Sequence, residues 1–346
     1  MPLALTQLSD LATLAFDEII DVRSPAEYAE DHIPGAISLP AMSNEERARV
    51  GTIYVQEDPF KARKIGAAIV SRNVAAHLEG PLRDREGAWK PLVYCWRGGQ
   101  RSGSVAIILK QIGWRADTVE GGYQAYRRLV SRALYSSHMP CPVVVIDGGT
   151  GTAKTRLLHH IAEQGAQVLD LEAMAEHRGS LFGPMSDAQP SQKAFESRLA
   201  MGIARLDPTR PVYVEAESSK IGRLIIPPTL WQAMIKAPNL RLAAPLAART
   251  DHLLTAYPDM VADAEKLDGV LDQLVRYHGH DVIDHWRALA GTGDFRALAE
   301  GLIQTHYDPR YTRISRAHAP DAQPIELADL SEETLAKTAA NIIAAE

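Results

Sequence analysis

The stretch Leu92-Val93-Tyr94-Cys95-Trp96-Arg97-Gly98-Gly99-Gln100-Arg101-Ser102-Gly103-Ser104 reads as a buried strand, a short loop and the start of a helix. Three apolar or aromatic residues open it, a glycine-containing arginine loop follows, and Val105 to Leu109 continue with helical apolar periodicity. Backbone N–H groups of such a loop converge on one point, which the helix dipole, Arg97 and Arg101 make electropositive. A thiol placed there is drawn toward thiolate. The alternative is a structural cysteine buried at a strand end. Cys95, Arg97 and Arg101 are thus the first candidate catalytic residues.

Cys95, five residues and then Arg101 is the Cys-x5-Arg spacing of cysteine phosphatases, and many sulfurtransferases have one residue fewer. The upstream segment separates the two. Asp21-Val22-Arg23-Ser24-Pro25-Ala26-Glu27-Tyr28, followed by His32-Ile33-Pro34-Gly35-Ala36, resembles the opening of the rhodanese fold, and Phe16 to Tyr126 follows that pattern. The resemblance implies a cysteine that carries sulfur or selenium as a persulfide or perselenide. A phosphatase is the second reading, although the loop itself offers no aspartic general acid.

At 346 residues and 46% apolar content the chain can bury two ordinary cores. No run approaches a membrane span, and the first residues lack a basic signal region, so a cytoplasmic protein without a membrane is expected. Two cysteines, Cys95 and Cys141, build no disulfide framework and fit a reducing compartment. No cysteine pairs stand at zinc spacing. The net charge of −6 argues against a uniformly basic nucleic-acid binder. The charge is uneven, however. Residues 83–132 hold ten lysines and arginines against four acids, and 259–304 hold nine acids against four bases. The basic first half could face a polyanion, and ordinary solvated helix faces are the competing reading.

In the first half, Glu18–Val22, Ala36–Leu39, Leu92–Tyr94 and Asp117–Val119 read as strands. Asn44 reads as the cap of a helix over 45–50, and Lys61–Val70 and a segment ending near Leu134 are helical. Their alternation predicts a parallel sheet with the cysteine loop at its carboxyl edge. Two prolines in Met139-Pro140-Cys141-Pro142 end the periodicity. Residues 1–135 are therefore expected as one α/β domain, 136–142 as a linker, and 143–346 as a second α/β domain with a helical C-terminal part. Cys141, with flanking prolines and no nearby cations, reads as passive.

Val143-Val144-Val145-Ile146-Asp147 runs into Gly148-Gly149-Thr150-Gly151-Thr152-Ala153-Lys154-Thr155 and a helix over 156–162, the strand, phosphate loop and helix of a P-loop. A glycine-rich turn without ligand is the alternative. Ala153 stands where glycine is usual, and a left-handed backbone there would cost about 1 kcal/mol while keeping the N–H donor. Gly148, Gly151, Thr152, Lys154 and Thr155 are candidate phosphate-binding residues, with Thr155 suited to Mg²⁺. Two further strands end in acids, Asp170 with Glu172 just beyond, and Glu215 with Glu217. Glu215 is the first choice for the second metal ligand, and Asp170 is a further candidate for the bound group. Solvated strand-end carboxylates are the competing reading for Asp170 and Glu217.

A rhodanese-like domain followed by a P-loop domain resembles the bacterial tRNA 2-selenouridine synthase family. The likeness continues through Val168–Glu172, His177-Arg178-Gly179-Ser180-Leu181-Phe182-Gly183, Gln189-Pro190-Ser191-Gln192-Lys193-Ala194-Phe195-Glu196, Glu215–Gly222 and Tyr307-Asp308-Pro309-Arg310-Tyr311, with Ala153 and Ala216 as departures. It implies geranylation of the wobble 2-thiouridine of tRNA from geranyl diphosphate, then replacement of the S-geranyl group by selenium from selenophosphate. A selenophosphate-supplying enzyme is implied as a partner. Three other readings stay open: a sulfurtransferase fused to an ATPase, a cysteine phosphatase, and a tRNA-binding regulator in which Cys95 is dispensable.

Overall fold

The structure, a computed structural model, describes residues 2–183, 188–312 and 323–345. The chain forms two compact units. The first holds residues 1–137 together with 190–205, and the second holds 138–189 and 206–346.

In the first unit, β1 (Glu18–Asp21), β2 (Ile37–Ser38), β3 (Pro91–Tyr94) and β4 (Asp117–Thr118) form a parallel sheet in the order β2-β1-β3-β4. All four residues of β3 are buried, as an inner parallel strand requires. Register pairs Asp21 with Tyr94, so the cysteine loop leaves the carboxyl edge beside the end of β1. The helices are α1 (Pro25–Glu30), α2 (Asn44–Gln56), α3 (Pro59–Glu79), α4 (Gln100–Ile112) and α5 (Gly122–Tyr135). The cap of α2 is Ser43 rather than Asn44. Ser43 and Glu46 bond each other's backbone N–H groups reciprocally, at 3.2 and 2.9 Å, while the Asn44 side chain accepts from Ala26 N. Helix α3 outruns the expected segment because Asp58 caps it and Pro59 occupies its first turn.

In the second unit, β5 (Val143–Gly148), β6 (Gln167–Leu169), β7 (Val212–Glu215), β10 (Asn239–Ala243) and β11 (Ile325–Glu326) form a parallel sheet in the order β11-β10-β5-β7-β6. A short antiparallel hairpin, β8 (Lys220–Ile221) and β9 (Leu224–Ile225), lies outside it. Helix α6 (Lys154–Glu163) packs with Glu332–Ala344 over a core of Ile146, Leu157, Tyr213, Leu335 and Ala339. A separate helical cluster buries Met260, Leu271, Leu274, Ile283, Trp286 and Leu298, forming the helical part expected after the sheet. No helix among the described residues is long and apolar enough to cross a membrane.

The assignment of 190–205 differs from a division at the proline linker. Helix α8 (Gln192–Ile203) buries Phe195 and Leu199 completely, and its polar residues find partners in the first unit. Ser197 donates to Asp31 (2.9 Å), Glu196 accepts from Tyr135 (2.6 Å), and Arg127 pairs with Glu196. Periodicity identifies a helix but not the surface that its apolar face will cover.

Candidate functional sites

In the first unit Cys95 directly follows β3 and is 4% exposed. The Ser102 hydroxyl lies 3.2 Å from its sulfur. Burial pushes the thiol up, but the Ser102 hydroxyl, the amides of Ser102 and Gly99 and the charge of Arg101 together outweigh it and hold it below its ordinary value. The electropositive loop expected from the sequence is therefore present, with Ser102 as a member that the spacing did not single out.

The two arginines divide. Arg101 is paired with Glu27 (2.9 Å) of α1. Burial raises the Glu27 carboxyl, yet the hydrogen bonds from Arg101 and Ser24 N and the charges of Arg101 and Arg47 bring it down to about 2. Arg97 is exposed, with no ion pair among the described residues. The loop is docked on the start of α5, where Tyr123 N donates to Cys95 O (2.8 Å) and Gln124 N to Trp96 O (3.1 Å). A Cβ on Gly122 would stand 2.3 Å from Cys95 O, and its φ is +56°, so only glycine fits. Beneath the loop the motif residues form a buried scaffold. Arg23 holds Asp21 in a fork at 2.6–3.0 Å, Tyr94 donates to Asp21 (2.8 Å), and the Arg23 guanidinium lies 3.9 Å from the Tyr123 ring centroid.

In the second unit Gly148 to Thr155 wrap the start of α6. Lys154 Nζ spans the loop to Gly148 O (2.9 Å), and Thr152 Oγ1 donates to Gly149 O (2.8 Å). Ala153 is left-handed, at φ 59° and ψ 35°. That costs about 1–2 kcal/mol. The Ala153 methyl is buried in the core with Ile146 and Leu157, contact that a glycine would forgo and that offsets part of this cost.

Carboxylates converge on this loop. Thr155 donates to Glu172 (3.2 Å), and Glu215 is 1% exposed with neither oxygen hydrogen-bonded among the described residues. Burial and mutual repulsion push Glu172 and Glu215 up to about 8 and Glu217 up to about 7, with Lys154 opposing in each case. Gly179, at φ +66°, lets Glu217 and Glu172 close over it, since a Cβ would stand 2.2 and 2.8 Å from their oxygens. A buried carboxyl beside a loop threonine is the oxygen chemistry that Mg²⁺ takes, so Thr155 and Glu215 are the residues that could hold it. No group of three or more His, Cys, Asp or Glu among the described residues forms a metal cage, and Mg²⁺ commonly takes one or two protein oxygens with phosphate and water as its other ligands. Asp170 lines the cavity, but its oxygens cap α7 (Leu171–Ala175) at Ala173 N (2.8 Å) and meet His159 (2.7 Å).

Arg249, missed in the sequence reading, grips the loop. It donates to Thr150 O (2.9 Å) and is clamped by Asp308 at 2.6 and 3.0 Å. Asp308 belongs to the Tyr307-Asp308-Pro309-Arg310 motif, which was the available signal, although its partner lies 59 residues upstream. The cavity over the loop, about 810 Å³, shares Thr150, Ser180, Leu253, Tyr257 and Tyr307 with an apolar recess of about 80 Å³ walled by Phe182, Met260, Leu267, Phe295, Leu298 and Leu302. Cys141 is buried, and burial and Asp207 push its thiol up, as befits a passive residue.

A family model described as a tRNA 2-selenouridine synthase AAA domain matches residues 141–280, and one described as a rhodanese-like domain matches residues 4–129. A chain from Nitrosomonas europaea named tRNA 2-selenouridine synthase is 37% identical over 258 residues, covering 72% of this chain and 66% of that one. Chains of the same name from Aeromonas salmonicida and Bordetella bronchiseptica are 37% and 34% identical, covering 72% and 87% of this chain and 67% and 89% of their own. The chain spans just under two thirds of the Nitrosomonas relative and nearly nine tenths of the Bordetella one.

Proposed function

Since the chain belongs to the tRNA 2-selenouridine synthase family, we propose that it converts the wobble 2-thiouridine of tRNA into 2-selenouridine through an S-geranyl intermediate. Geranylation is assigned to the phosphate loop and selenium transfer to the cysteine loop, in the cytoplasm where tRNA is found. In the first step the thiocarbonyl sulfur bonds to the allylic carbon as the carbon–oxygen bond breaks. Diphosphate leaves with the electron pair, and the base gives up its N3 proton. Lys154 and the amides of residues 148–155 take up the charge that develops on the leaving group. Mg²⁺ on Thr155 and Glu215 would supply further charge neutralisation. In the second step selenium bonds to C2 and geranylthiolate leaves, alkylation having made a poor leaving group a good one. The selenium–phosphorus bond is hydrolysed to leave phosphate. Cys95, its thiol held below its ordinary value, and the uncommitted Arg97 are assigned to the handling of selenophosphate, and Arg101, through its pair with Glu27, to holding the electropositive loop in place.

The apolar recess carries the choice of an allylic diphosphate over a nucleotide. A cavity of about 150 Å³ accepts a benzene ring, so about 80 Å³ walled by aliphatic and aromatic side chains suits the end of a hydrocarbon chain and not a purine. Leu298→Trp should therefore cut geranylation at least roughly tenfold, while Leu298→Ala should shift preference toward the longer farnesyl diphosphate several-fold. Nucleoside mass spectrometry with competing diphosphates measures both. Unchanged rate and chain-length preference in both variants would remove the recess from the reaction.

The arginines make a separate prediction. Arg97→Ala or Arg101→Ala removes charge-assisted donors worth about 1.5–3 kcal/mol and should weaken selenophosphate use roughly ten- to a hundredfold. Only Arg101→Ala should also raise the pH at which Cys95 becomes open to iodoacetamide, because it removes a cation that favours the thiolate. An unmoved alkylation profile would exclude Arg101 from thiolate stabilisation.

A further inference from the structure

We propose that the cavity beside Cys95, lined by Trp96, Tyr123, Gln124, Arg127, Arg128 and Lys193, receives the target nucleotide of the tRNA, with the base against Trp96 and its phosphate against Arg128. The cavity is about 370 Å³, within the range of small-ligand sites. Trp96 is the residue after Cys95, so the cavity opens on the loop that carries the thiol. Its ring stacks on Tyr123, with centroids 5.3 Å apart and planes 29° from parallel. Tyr123 is itself immobile. It is 3% exposed, donates to Asp31 (2.7 Å) and lies under the Arg23 guanidinium. Trp96 is thus a partly exposed aromatic face on a rigid base, the kind of platform on which unstacked RNA bases settle.

The charges around the platform are not equivalent. Arg127 pairs with Glu196, and Lys193 with Glu30 (2.6 Å). Arg128 lines the cavity, is exposed, and has no ion pair among the described residues, and Arg97 stands likewise free on the loop. One cation of the cavity, Arg128, therefore stays uncompensated beside the aromatic face, which is the demand of a nucleotide phosphate next to a stacked base. The Gln189–Glu196 motif finds its place here. From Pro190 onward it belongs to the first unit, and it brings Lys193 to this cavity. Gln124 adds an amide able to donate to and accept from a base edge.

This inference rests on the proposed function, and the test separates the two. The probe is an anticodon stem-loop oligoribonucleotide carrying 2-thiouridine at its wobble position, used with the full-length protein. Near-ultraviolet irradiation should cross-link the thiobase to the peptide holding Trp96 or that holding Tyr123. Trp96→Ala should weaken stem-loop binding by roughly tenfold or more, and Trp96→Phe should recover most of it. Arg128→Ala should weaken binding and lower the salt slope by about one. Stem-loop binding by Trp96→Ala equal to wild type would overturn the pocket even if the wild-type enzyme makes 2-selenouridine. Cross-linking at Trp96 by an enzyme that forms no 2-selenouridine would instead uphold the pocket and reject the reaction.

Discussion

Cys95→Ser should yield tRNA that accumulates S-geranyl-2-thiouridine and contains no 2-selenouridine. The site around Cys95 is built for an anion on sulfur: the Ser102 hydroxyl at 3.2 Å, the Gly99 and Ser102 amides and Arg101 all favour thiolate against the cost of burial. A serine hydroxyl in the same place stays protonated at neutral pH and puts no anionic sulfur beside the selenium donor. Loss of a nucleophile that acts as part of a unit costs several orders of magnitude, so the selenium step should fall by about a thousandfold or more. Geranylation draws on residues of the second unit and should continue. Digestion of the tRNA and mass spectrometry of its nucleosides read both outcomes at once. Selenation at the wild-type rate would remove the cysteine loop from the mechanism and leave selenophosphate to react unaided.

Lys154→Ala should produce the mirror image, with no geranylation from geranyl diphosphate but normal selenation of tRNA supplied already geranylated. A phosphate loop binds any diphosphate through its amides and lysine, so the motif alone does not separate prenyl transfer from nucleotide hydrolysis. Prenyl transfer needs no nucleotide energy, because departure of diphosphate already drives it. It does need charge stabilisation on the leaving group, and removing one preorganised donor of that kind costs about a hundred- to a thousandfold. Lys154 is a cation that the environments of Glu172, Glu215 and Glu217 share, so its loss should also push those three buried carboxyls further up. The variant's thermal stability therefore has to be measured alongside its activity. Hydrolysis of ATP stimulated by tRNA and lost in Lys154→Ala would favour the ATPase reading, and full geranylation by the variant would exclude the loop from that step.

Both loops were legible because each is a local object, a strand, a turn and a helix start within a dozen residues, whose chemistry is written in adjacent positions. The paired sheets followed from the alternation of strands and helices for the same reason. What the sequence did not disclose are pairings across long separations. Arg101 is tied to Glu27, 74 residues away, and Arg249 to Asp308, 59 away. Asp170 reads as a site acid because it ends a strand, and it does line the cavity; that the same carboxyl also caps α7 was not legible. The apolar recess draws its walls from residues spread between 182 and 302, none of which departs from ordinary core composition. The return of α8 to the first unit was invisible because a helix's periodicity fixes its wet and dry sides without naming the partner.

That return has a consequence for how the protein is made. Synthesis is vectorial, and residues 1–137 emerge before the helix that covers part of their apolar surface. At about 5–20 residues per second, the intervening stretch delays completion of the first unit by several seconds. During that interval the nascent chain carries an unfinished surface, while the buried partners of Phe195 and Leu199 wait for them. The ribosome must also have delivered the phosphate loop and β6 before the first unit can close, so its completion overlaps the synthesis of the second.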